Sequence, residues 1–91
     1  MDADAHELEV AVVNEYGLHA RPAMQLVDIA SKFNSHITVS NGEAEMDAKS
    51  IMSVMQLAAT RGTVLRLKAN GDDARDALEA ISALVRSGFG E

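Results

Sequence analysis

The residues best suited to chemistry stand together at Gly17-Leu18-His19-Ala20-Arg21-Pro22-Ala23. Proline is tolerated in the first turn of a helix, where its missing N–H costs nothing, so Pro22 marks a helix opening just after the histidine. With His19 at the N-cap, the N–H groups of Ala20 and Arg21 have no upstream carbonyl to bond. They project together with the positive end of the helix dipole and form an anion site. Arg21 adds a planar guanidinium matched to phosphate oxygens, and Gly17 lets the backbone bend sharply before the histidine. An imidazole in that setting can take a phosphoryl group, and its surroundings would hold the resulting dianion. The same residues also fit a histidine that only caps a helix, followed by a surface arginine and a helix-opening proline. Residue types alone leave both readings open.

The elements that must position this segment follow from periodicity. Residues 7 to 13 alternate, with Leu8, Val10 and Val12 on one face, which predicts a half-buried strand before a loop at Asn14-Glu15-Tyr16-Gly17. From Ala20 to about Lys32, Ala23, Leu26, Val27, Ala30 and Phe33 fall at helical spacing. His36 to Ser40 alternates again, and Asn41-Gly42 predicts a tight hairpin with positive φ at both positions, returning through a strand from Glu43 to Asp47. Ser50 opens a short helix to about Leu57, and Gly62 closes the connection after it. Thr63 to Ala69 is a fourth strand. Gly71-Asp72-Asp73 is expected to start a last helix, an aspartate capping the amides of its first turn, that runs to about Arg86 and buries Ala74, Ala77, Leu78, Ile81, Leu84 and Val85. The order β-α-β-β-α-β-α, with one apolar face per strand, predicts an α+β open-faced sandwich. Its four-stranded antiparallel sheet has a split-βαβ order, the fourth strand between the first two, with three helices on one face. Residues 1–91 are expected to form a single domain.

Composition narrows the function. The chain has 91 residues, 47% hydrophobic and 24% charged, with 14 acidic against 8 basic residues and a formal charge of −6. An acidic chain whose aromatics are Phe33, Phe89 and Tyr16 repels phosphate backbones and offers no base-stacking platform, which argues against nucleic acid. Cysteine is absent, so disulfide and thiolate–metal frameworks are excluded. His6, expected in a frayed terminus, and His36, at a strand start, have no partner at ligand spacing, so no metal site is expected. No apolar run approaches the roughly 20 residues of a membrane span. The acidic start Met1-Asp2-Ala3-Asp4 lacks a signal-peptide pattern, so a cytoplasmic protein is expected. There is no Gly-rich nucleotide loop and no acid/base cluster around His19, which weighs against an autonomous kinase or hydrolase.

A second block, Ala48-Lys49-Ser50-Ile51-Met52-Ser53-Val54-Met55-Gln56-Leu57, also stands out. Ser50 reads physically as an N-cap. Val54 and Leu57 can face the core, which leaves some of Ile51, Met52 and Met55 outward, as partner-facing residues or as the rim of the core. Together the two blocks resemble the active-site and serine-site signatures of the histidine-containing phosphocarrier (HPr) family of the phosphoenolpyruvate-dependent phosphotransferase system. That resemblance spans residues of about 6 to 88. It implies that His19 is phosphorylated on Nδ1 by phospho-Enzyme I, that Arg21 assists, and that the phosphoryl group passes to an Enzyme II A component for sugar uptake. It further implies that Ser50 is a regulatory serine, the target of an HPr kinase/phosphorylase, and that Ile51, Met52 and Met55 belong to a partner surface. A carbon-control regulator is a further partner of such a serine. The resemblance implies a monomeric carrier, not an enzyme, with no bound cofactor. Two residues depart from the family pattern: Tyr16 stands where a small polar residue is common, and Ala58 where glycine is common. Two alternatives remain: the same carrier chemistry in nitrogen or carbon signalling without transport, and a docking-only module, for which His19→Ala would change nothing.

Overall fold

The computed structural model describes residues 4–91. Its elements run in the expected order: Ala5–Ala11 (β1), Ala20–Ala30 (α1), His36–Ser40 (β2), Glu45–Asp47 (β3), Ile51–Gln56 (α2), Val64–Asn70 (β4) and Ala74–Arg86 (α3), followed by a 3-10 turn at Gly88–Gly90. The sheet order is β1-β4-β2-β3 with every neighbouring pair antiparallel. The fourth strand thus lies between the first two, as the split-βαβ reading expects.

Alternation explains the layering. Leu8 faces Leu67, Val10 faces Leu65 and Val39 faces both Leu67 and Met46, so the apolar side chains of all four strands share one face. The three helices cover that face. Pro22, Ala23, Leu26, Val27 and Ala30 of α1 and Ala77, Ile81 and Val85 of α3 complete one buried cluster. Fully burying a side chain such as Leu26 or Ile81 contributes about 1.5–3 kcal/mol, which offsets the ordering of short helices that would not persist alone. The opposite face is polar and open. There Arg66 pairs with Glu7 at 3.2 Å and Glu9 at 3.4 Å, and Lys68 pairs with Glu45 at 3.3 Å.

Three local expectations are corrected. At Asn41-Gly42 only Gly42 has positive φ, 96°. The Asn41 side chain instead accepts from Glu43 N–H (2.9 Å) and Ala44 N–H (3.0 Å), imitating a backbone turn, so the connection is longer and β3 starts at Glu45 rather than Glu43. Asp73 occupies the N-cap of α3 but its carboxylate does not cap that helix. It accepts from the backbone N–H groups of Asn34 (2.8 Å) and Ser35 (3.0 Å) and from the Ser35 hydroxyl. Three donors from the loop between α1 and β2 outcompete the helix's own amides, and they tie α3 to that loop. His6 is exposed but lies within β1, paired with Ala69, rather than in a frayed end.

Candidate functional site

His19 stands at the N-cap of α1 in extended backbone, and its side chain makes no cap hydrogen bond. The first helical bond runs from Ala23 N–H to the His19 carbonyl at 3.0 Å. The N–H groups of Ala20 and Arg21 therefore precede the ladder, as the sequence reading expects, and Pro22 is buried beneath them. On the other side of the histidine, Leu18 is buried and its N–H bonds the Ala59 carbonyl at 2.9 Å. Gly17 has φ of +65°, and a Cβ there would sit 2.3 Å from that same carbonyl oxygen. Only glycine admits this approach, so the loop is clamped on both flanks of His19 while the ring itself stays part-exposed.

The ring is held from a direction that the sequence did not announce. Its Nε2 lies 2.7 Å from Glu91 Oε2. The other Glu91 oxygen accepts from Asn14 Nδ2 at 2.9 Å, and the same Asn14 nitrogen donates to the Gly17 carbonyl at 2.7 Å. Asn14 is buried, so the chain Gly17–Asn14–Glu91–His19 is anchored from inside the loop. A carboxylate only accepts, so Nε2 carries the proton, and in the neutral ring Nδ1 then holds the lone pair. The Asn14 amide, with further help from His19 and the charge of Arg21, holds the Glu91 carboxyl below its ordinary range against the opposing effect of burial. The Tyr16 ring meets the imidazole edge-on, with centroids 6.2 Å apart.

Glu91 reaches His19 because Gly88–Gly90 folds back after α3, with Phe89 at φ of 59° and fully buried. Neither Phe89 nor Glu91 was legible as part of a site. The only signal was a large apolar residue between two glycines after a helix, which suits a turn that plugs the core. Arg21, Arg61 and Arg86 line the same open cleft as His19, Tyr16 and Glu91.

Ser50 is the N-cap of α2, accepting from Ser53 N–H at 3.3 Å, and it remains part-exposed. Val54 and Leu57 are buried, whereas Ile51 (39% exposed), Met52 (72%) and Met55 (41%) all face outward, where the sequence reading expected only some of the three to do so. Met24 on α1, which packs beside α2, is also exposed and was not anticipated. Ala58, just past the end of α2, has φ of 48°, the left-handed conformation for which glycine is suited. Among the described residues no cluster of histidine, aspartate or glutamate has the makings of a metal site.

Comparison with known proteins agrees with this arrangement. The family described as the PTS HPr component phosphorylation site matches residues 6–87. The chain is 47% identical over 85 residues to the phosphocarrier protein HPr of Xylella fastidiosa (strain Temecula1 / ATCC 700964), covering 93% of this chain and 96% of that one. It is 41% identical over 83 residues to the phosphocarrier protein NPr of Proteus mirabilis (strain HI4320), covering 90% and 92%. Among solved structures, HPr-C-His from Thermoanaerobacter tengcongensis superposes with a TM-score of 0.90 at 44% identity, covering 94% of this chain and 97% of that one.

Proposed function

Because the chain belongs to the family of PTS HPr components, we propose that it carries a phosphoryl group on Nδ1 of His19, received from phospho-Enzyme I and passed to an Enzyme II A component. The observation that carries this assignment is the Glu91 contact at Nε2, which leaves the other ring nitrogen as the nucleophile. In the transfer, the Nδ1 lone pair forms a P–N bond as the donor's own bond to phosphorus breaks and the donor's leaving group departs with that electron pair. The ring gains positive charge, and the Glu91 carboxylate on Nε2 offsets it. Arg21 and the N–H groups of Ala20 and Arg21 receive the phosphoryl oxygens at the positive end of α1. Little covalent work falls to the protein, which positions and neutralises. Running the same steps backward releases the group to an acceptor.

Ser50 is the regulatory position in this reading. A phosphate at a helix N-cap is electrostatically tolerated, and it would place negative charge on the helix whose outward residues Ile51, Met52 and Met55 serve partner proteins. In this reading the carrier works as a monomer in the cytoplasm. A second reading, a carrier serving nitrogen or carbon signalling rather than transport, has the same site chemistry, and the 41% identity to NPr, below the 47% to HPr, supports it as the alternative. Intact-mass spectrometry after incubation with Enzyme I, magnesium and phosphoenolpyruvate tests the shared chemistry. One acid-labile phosphate is expected on the protein and none on His19→Ala. Absence of phosphate from the unmodified chain, with an active Enzyme I from the same organism, would overturn the reading.

A further inference from the structure

The arginines of this chain divide into two groups. Away from His19, each has a carboxylate partner: Arg66 with Glu7 and Glu9, Arg75 with Glu79. In the His19 cleft, Arg61 and Arg86 have neither a hydrogen bond nor an ion pair among the described residues. Arg21 reaches Glu91 only through its field. These three come from different elements: the start of α1, the loop before β4 and the last turn of α3. A C-terminal turn favours a cation, which accounts for Arg86 taken alone. It does not account for three guanidinium groups meeting at one cleft of a chain whose net charge is −6.

The cleft's own acids do not neutralise them. Glu91 is committed to Asn14 and His19, and Glu15, the other carboxylate lining the cleft, pairs with none of the three. The cleft is open rather than enclosed, and all three arginines are exposed, which does not suit a small ligand that must be largely buried. Beside them stand Tyr16, 72% exposed, and Val13, 48% exposed. Arginine and tyrosine around a shallow apolar surface are the residue types that carry protein–protein contacts.

We propose that Arg61 and Arg86, with the exposed faces of Tyr16 and Val13, form a docking surface for an acidic rim on the phosphoryl donor. It lies on the α3 side of His19 and is distinct from Ile51, Met52 and Met55 of α2. The proposal rests on the carrier reading above. The donor is the occupant because it arrives bearing the phosphoryl dianion, and free guanidinium groups favour the more anionic visitor. Arg21 serves the transferring group; Arg61 and Arg86 serve the encounter.

The test is steady-state phosphorylation of the full chain by phospho-Enzyme I from the same organism, across a series of salt concentrations, with Arg61→Gln/Arg86→Gln alongside. Charge complementarity acts chiefly on encounter and is screened by salt. KM for the carrier is therefore expected to rise roughly tenfold in the variant with kcat within about twofold, and the salt dependence of kcat/KM to flatten. Both side chains are exposed, and an unchanged thermal transition verifies folding. If the unmodified chain takes phosphate but the variant keeps the same KM and salt dependence, the docking surface is wrong while the carrier reading stands. A fall in kcat at unchanged KM would also overturn it, since the arginines would then act on the moving phosphoryl group. No phosphate on the unmodified chain sinks the carrier reading itself.

Discussion

At the scale of single residues, the decisive contact is between two side chains 72 positions apart. His19 needs a lone pair on one nitrogen and a partner on the other, and Glu91 supplies the partner. Glu91→Gln removes the charge that offsets the cationic ring while nearly preserving shape. Partners of this kind are worth 10–100-fold where they orient a histidine that binds a metal. Here kcat for phosphoryl acceptance is expected to fall roughly tenfold, with KM within about twofold, by rapid-quench kinetics. Nitrogen-15 shifts of the His19 ring should show a loss of the Nε2-protonated tautomer. An unchanged kcat and tautomer would reduce Glu91 to a structural latch. His19 and Arg21 were legible as a candidate phosphoryl site because the chemistry that suggests it is local: a proline, a histidine and two amides within a few residues. Asn14 and Glu91 were not, because their meaning depends on a turn that brings the far end of α3 back to the first loop. A glutamate after Gly-Phe-Gly carries no mark of that destination.

At the scale of elements, α2 and its exit show how a strained joint serves the site. Ala58 takes the left-handed conformation at φ of 48°, and the residue after it supplies the carbonyl that holds Leu18. A Cβ in that region costs about 1–2 kcal/mol, partly returned by the greater freedom of glycine when unfolded. Ala58→Gly should therefore stabilise the fold by about 0.5–1 kcal/mol, read from urea denaturation at constant m-value. A neutral or destabilising result would mean that the Ala58 methyl makes contacts that outweigh its strain. Element boundaries were legible wherever a period repeats. β2 falls on His36–Ser40 as expected because Ile37 and Val39 alternate cleanly, and α1 begins where Pro22 requires. The reading failed where a side chain competes with the backbone. Asn41 closes its turn through its own amide oxygen, and Asp73 spends its carboxylate on the distant loop between α1 and β2 instead of its helix. Both residues were recognised as turn or cap formers, and in both the choice of partner was set by what the fold brought near.

At the scale of the whole molecule, Asp73 makes stability depend on acid. The Ser35 hydroxyl, and after it the Asn34 and Ser35 amides, hold its carboxyl below the usual 3.8. A depressed folded value means that the ionised form is the one the fold prefers. Its contribution is complete above 3.8 and is lost as pH falls through the lower folded value. Asp73→Asn should thus be less stable than the unmodified chain at neutral pH, with the gap closing only in stronger acid, by denaturant titration at several pH values. A gap independent of pH would refer the loss to geometry rather than charge. The sheet order has a different consequence, in the time a chain takes to be made. The strand that joins β1 to β2 is β4, so the β2–β3 hairpin can form early but β1 cannot be joined to it until residue 70 has left the ribosome. His19 emerges early, yet its loop waits for Ala59 and its ring for Glu91. A nascent chain shows its histidine long before the contacts that hold it exist, and the last of them forms only when residue 91 has been added.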